Sequence, residues 1–200
     1  MRSVIVIAVL LGIISSTAFL IHRESLEFSQ RKAAAIAANF FVLQTLMQKY
    51  TATVPGTGSG ASPILYVPGS DPAALRALLA GTGIAASWLE NPFQLSITII
   101  QTPTASTPRK QTVCIYSSAP LLGSFGVSDA RVASQSPSSL LNFGIHQGAG
   151  AVSSTYQPTI QSGVAASPAP WSLTLPAQLI DGAEPDVPAG AAVLLFEANS

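Results

Sequence analysis

Residues 3–22 read SVIVIAVLLGIISSTAFLIH, twenty positions without a charge, and neither glycine nor proline recurs after Gly12 until Pro55. Val4 to Leu11 is aliphatic or alanine throughout. Coiled as a helix, twenty residues rise about 30 Å, the thickness of a bilayer's hydrocarbon layer. Ser15, Ser16 and Thr17 can return their hydroxyls to helix carbonyls, so this weakly polar step does not end the segment. The stretch predicts a transmembrane anchor over residues 1–22. A cleaved signal segment is the alternative, with Arg2 as its basic start and Ser16-Thr17-Ala18 as the small-residue cleavage site. Phe19-Leu20-Ile21 just past that cut, and a helical pattern that continues without a break, favour the anchor.

Working outward, residues 23–54 read as a membrane-proximal amphipathic helix. Ile36, Phe40, Leu43, Met47 and Tyr50 are spaced 4, 3, 4 and 3 apart, which stacks their side chains along one face. Two destinations suit such a stripe: the protein's own body, or a partner. The small residues Ala33 to Ala38 permit close approach of another helix, and these five positions are the candidate partner-binding residues. Pro55-Gly56-Thr57-Gly58-Ser59-Gly60 then marks a linker over 55–62.

Residues 63–200 form the remaining unit, expected as an exported α+β domain that is small, mainly antiparallel and rich in Ser/Gly/Pro loops. Ile64 to Val67 reads as a strand. Ser70-Asp71 followed by Pro72 reads as a helix start, with Gly81 and Gly83 at its stop. The β-branched runs 95–100 and 112–116 should pair as a hairpin, and a last strand is expected at 192–196. Between them, residues 117–190 are dense in Ser, Gly, Ala and Pro; helix signals at 120–123 and 128–134 interrupt what is otherwise expected to be loop.

Charge excludes several classes. Nine Lys+Arg balance nine Asp+Glu, and charged residues are 9% of the chain against about 25% in an ordinary soluble domain. Residues 1–50 are net +3 and residues 51–200 net −3, so the body lacks the basic patch that phosphate contacts require, and direct nucleic-acid binding is not expected. Arg2 on one side of the apolar run and Arg23, Arg31 and Lys32 on the other mean that the positive-inside rule does not fix the orientation. The weakly charged body favours export: a single-pass protein of a bacterial inner membrane, its N-terminus cytoplasmic and its body periplasmic. A lone Cys114 forms no internal disulfide and says nothing of compartment.

Catalytic patterns fail on spacing. With only His22, His146 and Cys114, a zinc site with local ligand spacing is not expected. A serine triad can be assembled on paper from His146 and Asp129 or Asp181, but no Gly-x-Ser-x-Gly elbow places a nucleophile. Ser29-Gln30-Arg31-Lys32 satisfies Ser-x-x-Lys without its companion motifs. The glycine turn 81–86 follows a helix where a dinucleotide fingerprint needs a strand, and Gly56 to Gly60 lacks the Lys-Ser/Thr of a phosphate loop. Cys114 between Val113 and Ile115 suits a packed sheet, and Trp88 and Trp171 suit core or loop anchors. No catalytic, metal or cofactor residue is expected, and no enzymatic activity.

Arg2, the apolar run 4–21, the segment Ala33-Ala34-Ala35-Ile36-Ala37-Ala38-Asn39-Phe40 and the ending Val187-Pro188-Ala189-Gly190-Ala191-Ala192-Val193 together resemble the PilM family of conjugative type IV (thin) pilus biogenesis proteins. The resemblance covers about the first 50 and last 20 residues. It implies an envelope protein needed to build a type IV pilus used in DNA transfer, working by protein–protein binding to pilus assembly proteins or pilins, with self-association a further expectation. More distantly, the layout of long helix then sheet is similar to pilins and pseudopilins. Their peptidase site has a Gly before an aromatic residue and a Glu five places on, whereas Gly12 precedes Ile13 and no carboxylate occurs before Glu24. An unprocessed, pilin-like structural subunit is therefore the alternative, and an anchored hydrolase using His146 the second alternative.

Overall fold

The structure is a computed structural model; it describes residues 2–53, 64–80, 82–85, 90–101, 110–135, 143–148, 151–153, 172–174 and 187–199, with backbone alone at 2–22, 64, 101, 110, 148, 151–153, 172–174 and 199. Helix α1 (Arg2–Thr53) runs 52 residues, about 78 Å at 1.5 Å per residue. With no glycine or proline inside it after Gly12, nothing in its sequence breaks the backbone hydrogen-bond ladder. The anchor expected over 1–22 falls on the backbone-only part of α1, outside the described side chains. Among the residues whose side chains are described, no helix is long and apolar enough to cross a membrane.

Strand β1 (Ile64–Val67) is followed by helix α2 (Pro72–Leu79). Asp71 caps that helix as its sequence predicts: Oδ1 accepts from the Ala73 and Ala74 amides at 2.9 and 3.1 Å, and Pro72 occupies the first turn, where its missing N–H leaves no bond unmade. Strands β2 (Leu95–Gln101) and β3 (Lys110–Ser117) form the expected antiparallel hairpin, with Ile97 opposite Ile115. Short helices α3 (Leu121–Phe125) and α4 (Asp129–Ser134) follow, at the two helix signals in the sequence. Gly126, in the left-handed region at φ 70°, stops α3, and the Ser128 hydroxyl accepts from the Arg131 amide to start α4.

The stretch between them and the last strand departs from expectation. Residues 117–190 hold three further strands, β4 (Phe143–Gly148), β5 (Ala151–Ser153) and β6 (Ser172–Thr174). Their composition is poor in β-formers; β4 contains two glycines and a histidine. Tertiary pairing with β7 (Ala192–Asn199) makes it a strand, an override of local propensity. The loops expected at 136–142, 154–171 and 175–186, and the linker at 55–62, lie outside the described residues.

All seven described strands join one antiparallel sheet in the order β1-β2-β3-β7-β4-β5-β6, so the architecture is α+β. One face, including Ile97, Ile115, Leu194 and Phe143, meets α1 from Ala33 onward, α2, α3 and α4 in a single core. The opposite face buries Ile100, Cys114, Tyr116, Val193 and Leu195 with Val187 and Ala191. Because both faces of its central strand are covered, β7 reads as the continuous run Ala-Val-Leu-Leu-Phe and not as an alternation.

Candidate functional site

The stripe on α1 goes into the chain's own core. Ile36, Phe40, Leu43 and Met47 are each 0% exposed. Tyr50 packs half-buried at the edge of the same cluster, where burial pushes its phenol above its ordinary pKa. Four of the five candidate partner-binding residues thus serve as the chain's own core, with Tyr50 beside them. A 3.6-residue period reports only that a stripe is buried, and the chain's own β3 and β7 supply the apolar surface that buries it.

The best-built polar constellation lies where β3, β7 and α4 meet. Asp129, 8% exposed, accepts from the Ser117 hydroxyl at 2.5 Å and the Ala192 amide at 3.0 Å on Oδ1, and from the Leu121 amide at 3.0 Å on Oδ2. Ser117 Oγ itself accepts from the Ala192 amide at 3.2 Å. A nucleophilic serine needs a base able to take its proton and an open side for substrate. Here the hydroxyl is 2.5 Å from a carboxylate whose two oxygens already hold backbone amides, and Ser117 is 2% exposed. The arrangement ties the end of β3 to the start of β7 and to the entry of α3.

His146 is held by the residues just before β7. Its Nδ1 is 3.1 Å from the Pro188 carbonyl, and its backbone exchanges bonds with Ala191 and Gly190. With Nδ1–H donating to that carbonyl, Nε2 is left as the acceptor, buried without a hydrogen-bond partner among the described residues. The triad drawn from His146 and Asp129 therefore does not form: each group is bonded to backbone elsewhere. Asp181, the other candidate acid, lies outside the described residues, as do Trp88 and Trp171.

The remaining motifs resolve locally. Ser29 Oγ donates to the Leu26 carbonyl at 2.9 Å and accepts from Arg131 Nη1, while Lys32 Nζ lies 5.9 Å over the Phe28 ring; lysine and serine of the Ser-x-x-Lys step point to different partners. Cys114 is wholly buried, and desolvation raises its thiol far above the ordinary value of 9.0, which suppresses the reactive thiolate. Among the described residues no three His, Cys, Asp or Glu side chains gather as metal ligands.

Sequence reading passed over the surface positions of α1. Leu26 and Phe28 are 40% and 66% exposed, and Phe41 and Leu122 are the other large apolar side chains left open among the described residues. The first two flank the charges Arg23, Glu24, Glu27, Arg31 and Lys32 immediately after the apolar run. Farther along, Ala35, Ala38, Asn39 and Val42 face Pro92 and Phe93 across a shallow groove, closed at one point by Asn39 Nδ2 donating to the Glu90 carbonyl at 3.3 Å. Compared with known proteins, the chain matches no family model, no curated protein and no solved structure.

Proposed function

We propose that this chain is a membrane-anchored component of a type IV pilus assembly in the bacterial envelope, working by protein–protein binding, with its body in the periplasm. The observation that carries the anchored reading is the division of α1. From Ala33 onward its apolar stripe fills the body's core, whereas the twenty uncharged residues 3–22 precede the first described contact with the body, that of Ser29 with Arg131. One continuous helix thus holds a folded body at one end and offers a hydrocarbon-length apolar segment at the other. The pilus assignment rests on the resemblance of residues 1–50 and 187–193.

Carbonate-washed membranes and spheroplast proteolysis test the anchor: full-length chain retained in the pellet, with its body cleaved from outside, is expected. Deletion of the gene should abolish piliation, and tagged chain should recover envelope assembly proteins. Normal pili after deletion would remove the pilus role.

The packing of α1 on an antiparallel sheet favours a second reading, an unprocessed pilin-like subunit built into the filament. Sheared, purified pili separate the two. A subunit co-purifies along the filament, and an assembly component stays with the envelope.

A further inference from the structure

We propose that residues 23–32 of α1, with Arg131 from α4, form a collar seated in the phospholipid headgroup layer, fixing how close the body rides to the membrane. This deepens the anchored reading and rests on it. Leu26 and Phe28 are exposed by 40% and 66%, and they sit two residues apart, about 200° around the helix and about 3 Å along it. No flat protein surface touches both sides of a helix at one height. A docking stripe would repeat at every third or fourth residue, as the buried Ile36–Tyr50 stripe does. An annular medium covers both, and the headgroup layer begins where the apolar run ends, at His22, about 6 Å below Leu26 and about 9 Å below Phe28.

The charges point the same way. Side chains on a helix lean towards its N-terminus, which here is the bilayer side. Lys32 Nζ reaches back over the Phe28 ring at 5.9 Å, and Arg31 Nη2 reaches back to 3.9 Å from Glu27 Oε2. Glu27 also takes Arg23 Nε at 3.1 Å, and Arg131 adds a fourth cation at the level of Ser29. Glu24 and Glu27 are the acids among them. Four cations against two carboxylates, ringed by two apolar side chains, match a layer of lipid phosphates bordering hydrocarbon, the setting in which aromatic and basic residues collect.

Nitroxide labels on cysteines introduced one at a time at Ile13, Leu26, Phe28 and Phe41 test this. The full-length chain is placed in nanodiscs of phosphatidylethanolamine and phosphatidylglycerol; Cys114, wholly buried, stays unlabelled. Accessibility to oxygen and to a water-soluble nickel complex should place the labels at 26 and 28 together in the headgroup layer, the label at 13 in hydrocarbon and the label at 41 in water. Reversing two of the four cations (Arg31→Glu with Lys32→Glu) should shift the label at 28 towards water. If the label at 28 is shielded from both reagents, or as open to nickel as that at 41, while 13 reads hydrocarbon, the collar is wrong and the anchor stands. An unmoved depth on charge reversal overturns the phosphate contact. A label at 13 that reads water removes the anchor and the collar with it.

Discussion

Phe40 on α1 and Phe143 on β4 bring their rings to 4.7 Å between centroids at an interplanar angle of 49°, both side chains fully buried. This contact joins the long helix to a strand that pairs with β7 beyond the hairpin. Such tilted aromatic pairs contribute about 0.5–1.5 kcal/mol beyond the area they bury. Phe40→Ala should destabilise by about 3–5 kcal/mol, through lost transfer energy and the cavity left behind. Equilibrium denaturation of the full chain measures this. Phe41→Ala, at a neighbouring position 43% exposed, should stay within about 0.5 kcal/mol of the parent. In the Phe40→Ala/Phe143→Ala cycle a coupling of at least about 0.5 kcal/mol is expected; additive effects would contradict the contact.

Asp129 is a structural knot, so its removal should be felt as stability and not as lost chemistry. Asp129→Ala leaves the Leu121 amide and the Ser117 hydroxyl without their acceptor and the Ala192 amide with Ser117 Oγ alone. Each buried orphan costs about 1–3 kcal/mol, and a loss on the order of 3 kcal/mol or more is expected. Ser117→Ala removes one donor and leaves the carboxylate its two amides, so it should cost about 1 kcal/mol. A denaturation midpoint for Asp129→Ala equal to that of the parent would count against the knot.

The turn before β2 stores strain that one substitution can release. Gln94 sits at φ 53°, a left-handed conformation that costs a side-chain-bearing residue about 1–2 kcal/mol. The Asn91 side chain holds the turn, Nδ2 donating to the Leu95 carbonyl at 2.8 Å and Oδ1 accepting from the Leu95 amide at 3.0 Å. Gln94→Gly should therefore stabilise by up to about 1 kcal/mol after its entropic cost. Across the turn, a Cβ on Gly69 would fall 1.9 Å from the Gln94 carbonyl oxygen, and backbone cannot move aside as a side-chain tip can. Gly69→Ala should lower the thermal midpoint sharply, and a midpoint unchanged would refute the close approach.

Legibility followed from where each signal originates. Strand β1, helix α2 with its Asp71 cap and the β2–β3 hairpin were readable because local chemistry specifies them: β-branched runs, a capping carboxylate, a proline in the first turn. Strand β4 was not, since Phe143-Gly144-Ile145-His146 becomes a strand only by lying beside β7, a pairing some fifty residues away in sequence. The stripe Ile36–Tyr50 was readable as buried but not as buried by what, because periodicity carries no identity for the opposing surface. Leu26 and Phe28 lay outside the 4-3-4-3 rhythm and were passed over for that reason, yet an apolar residue off the buried stripe, beside charges and next to an apolar run, is itself a sequence-level sign of an interface.

Two buried titratable groups on the far face of the sheet should make the fold sensitive to alkali. Cys114 and Tyr116 are 0% and 1% exposed, and desolvation lifts both above their ordinary values of 9.0 and 10.0. Each is neutral when protonated, so burial favours the proton-bound form in the folded state. Between the unfolded and folded values, the folded chain holds protons that the unfolded chain has released. By linkage, stability is intact below about pH 9 and falls as pH rises, by at most about 1.4 kcal/mol per pH unit for each group. Cys114 should set the first part of the decline, because its unfolded value is the lower, and Tyr116 should steepen it above about pH 10. Denaturation midpoints of the full chain at pH 8, 9, 10 and 10.5 should trace that curve. In Cys114→Ala, the fall between pH 9 and 10 should shrink to what tyrosine contributes, even though the plateau below pH 9 is itself lowered by the small cavity. An undiminished slope in that variant would mean that the thiol is not held dry on this face.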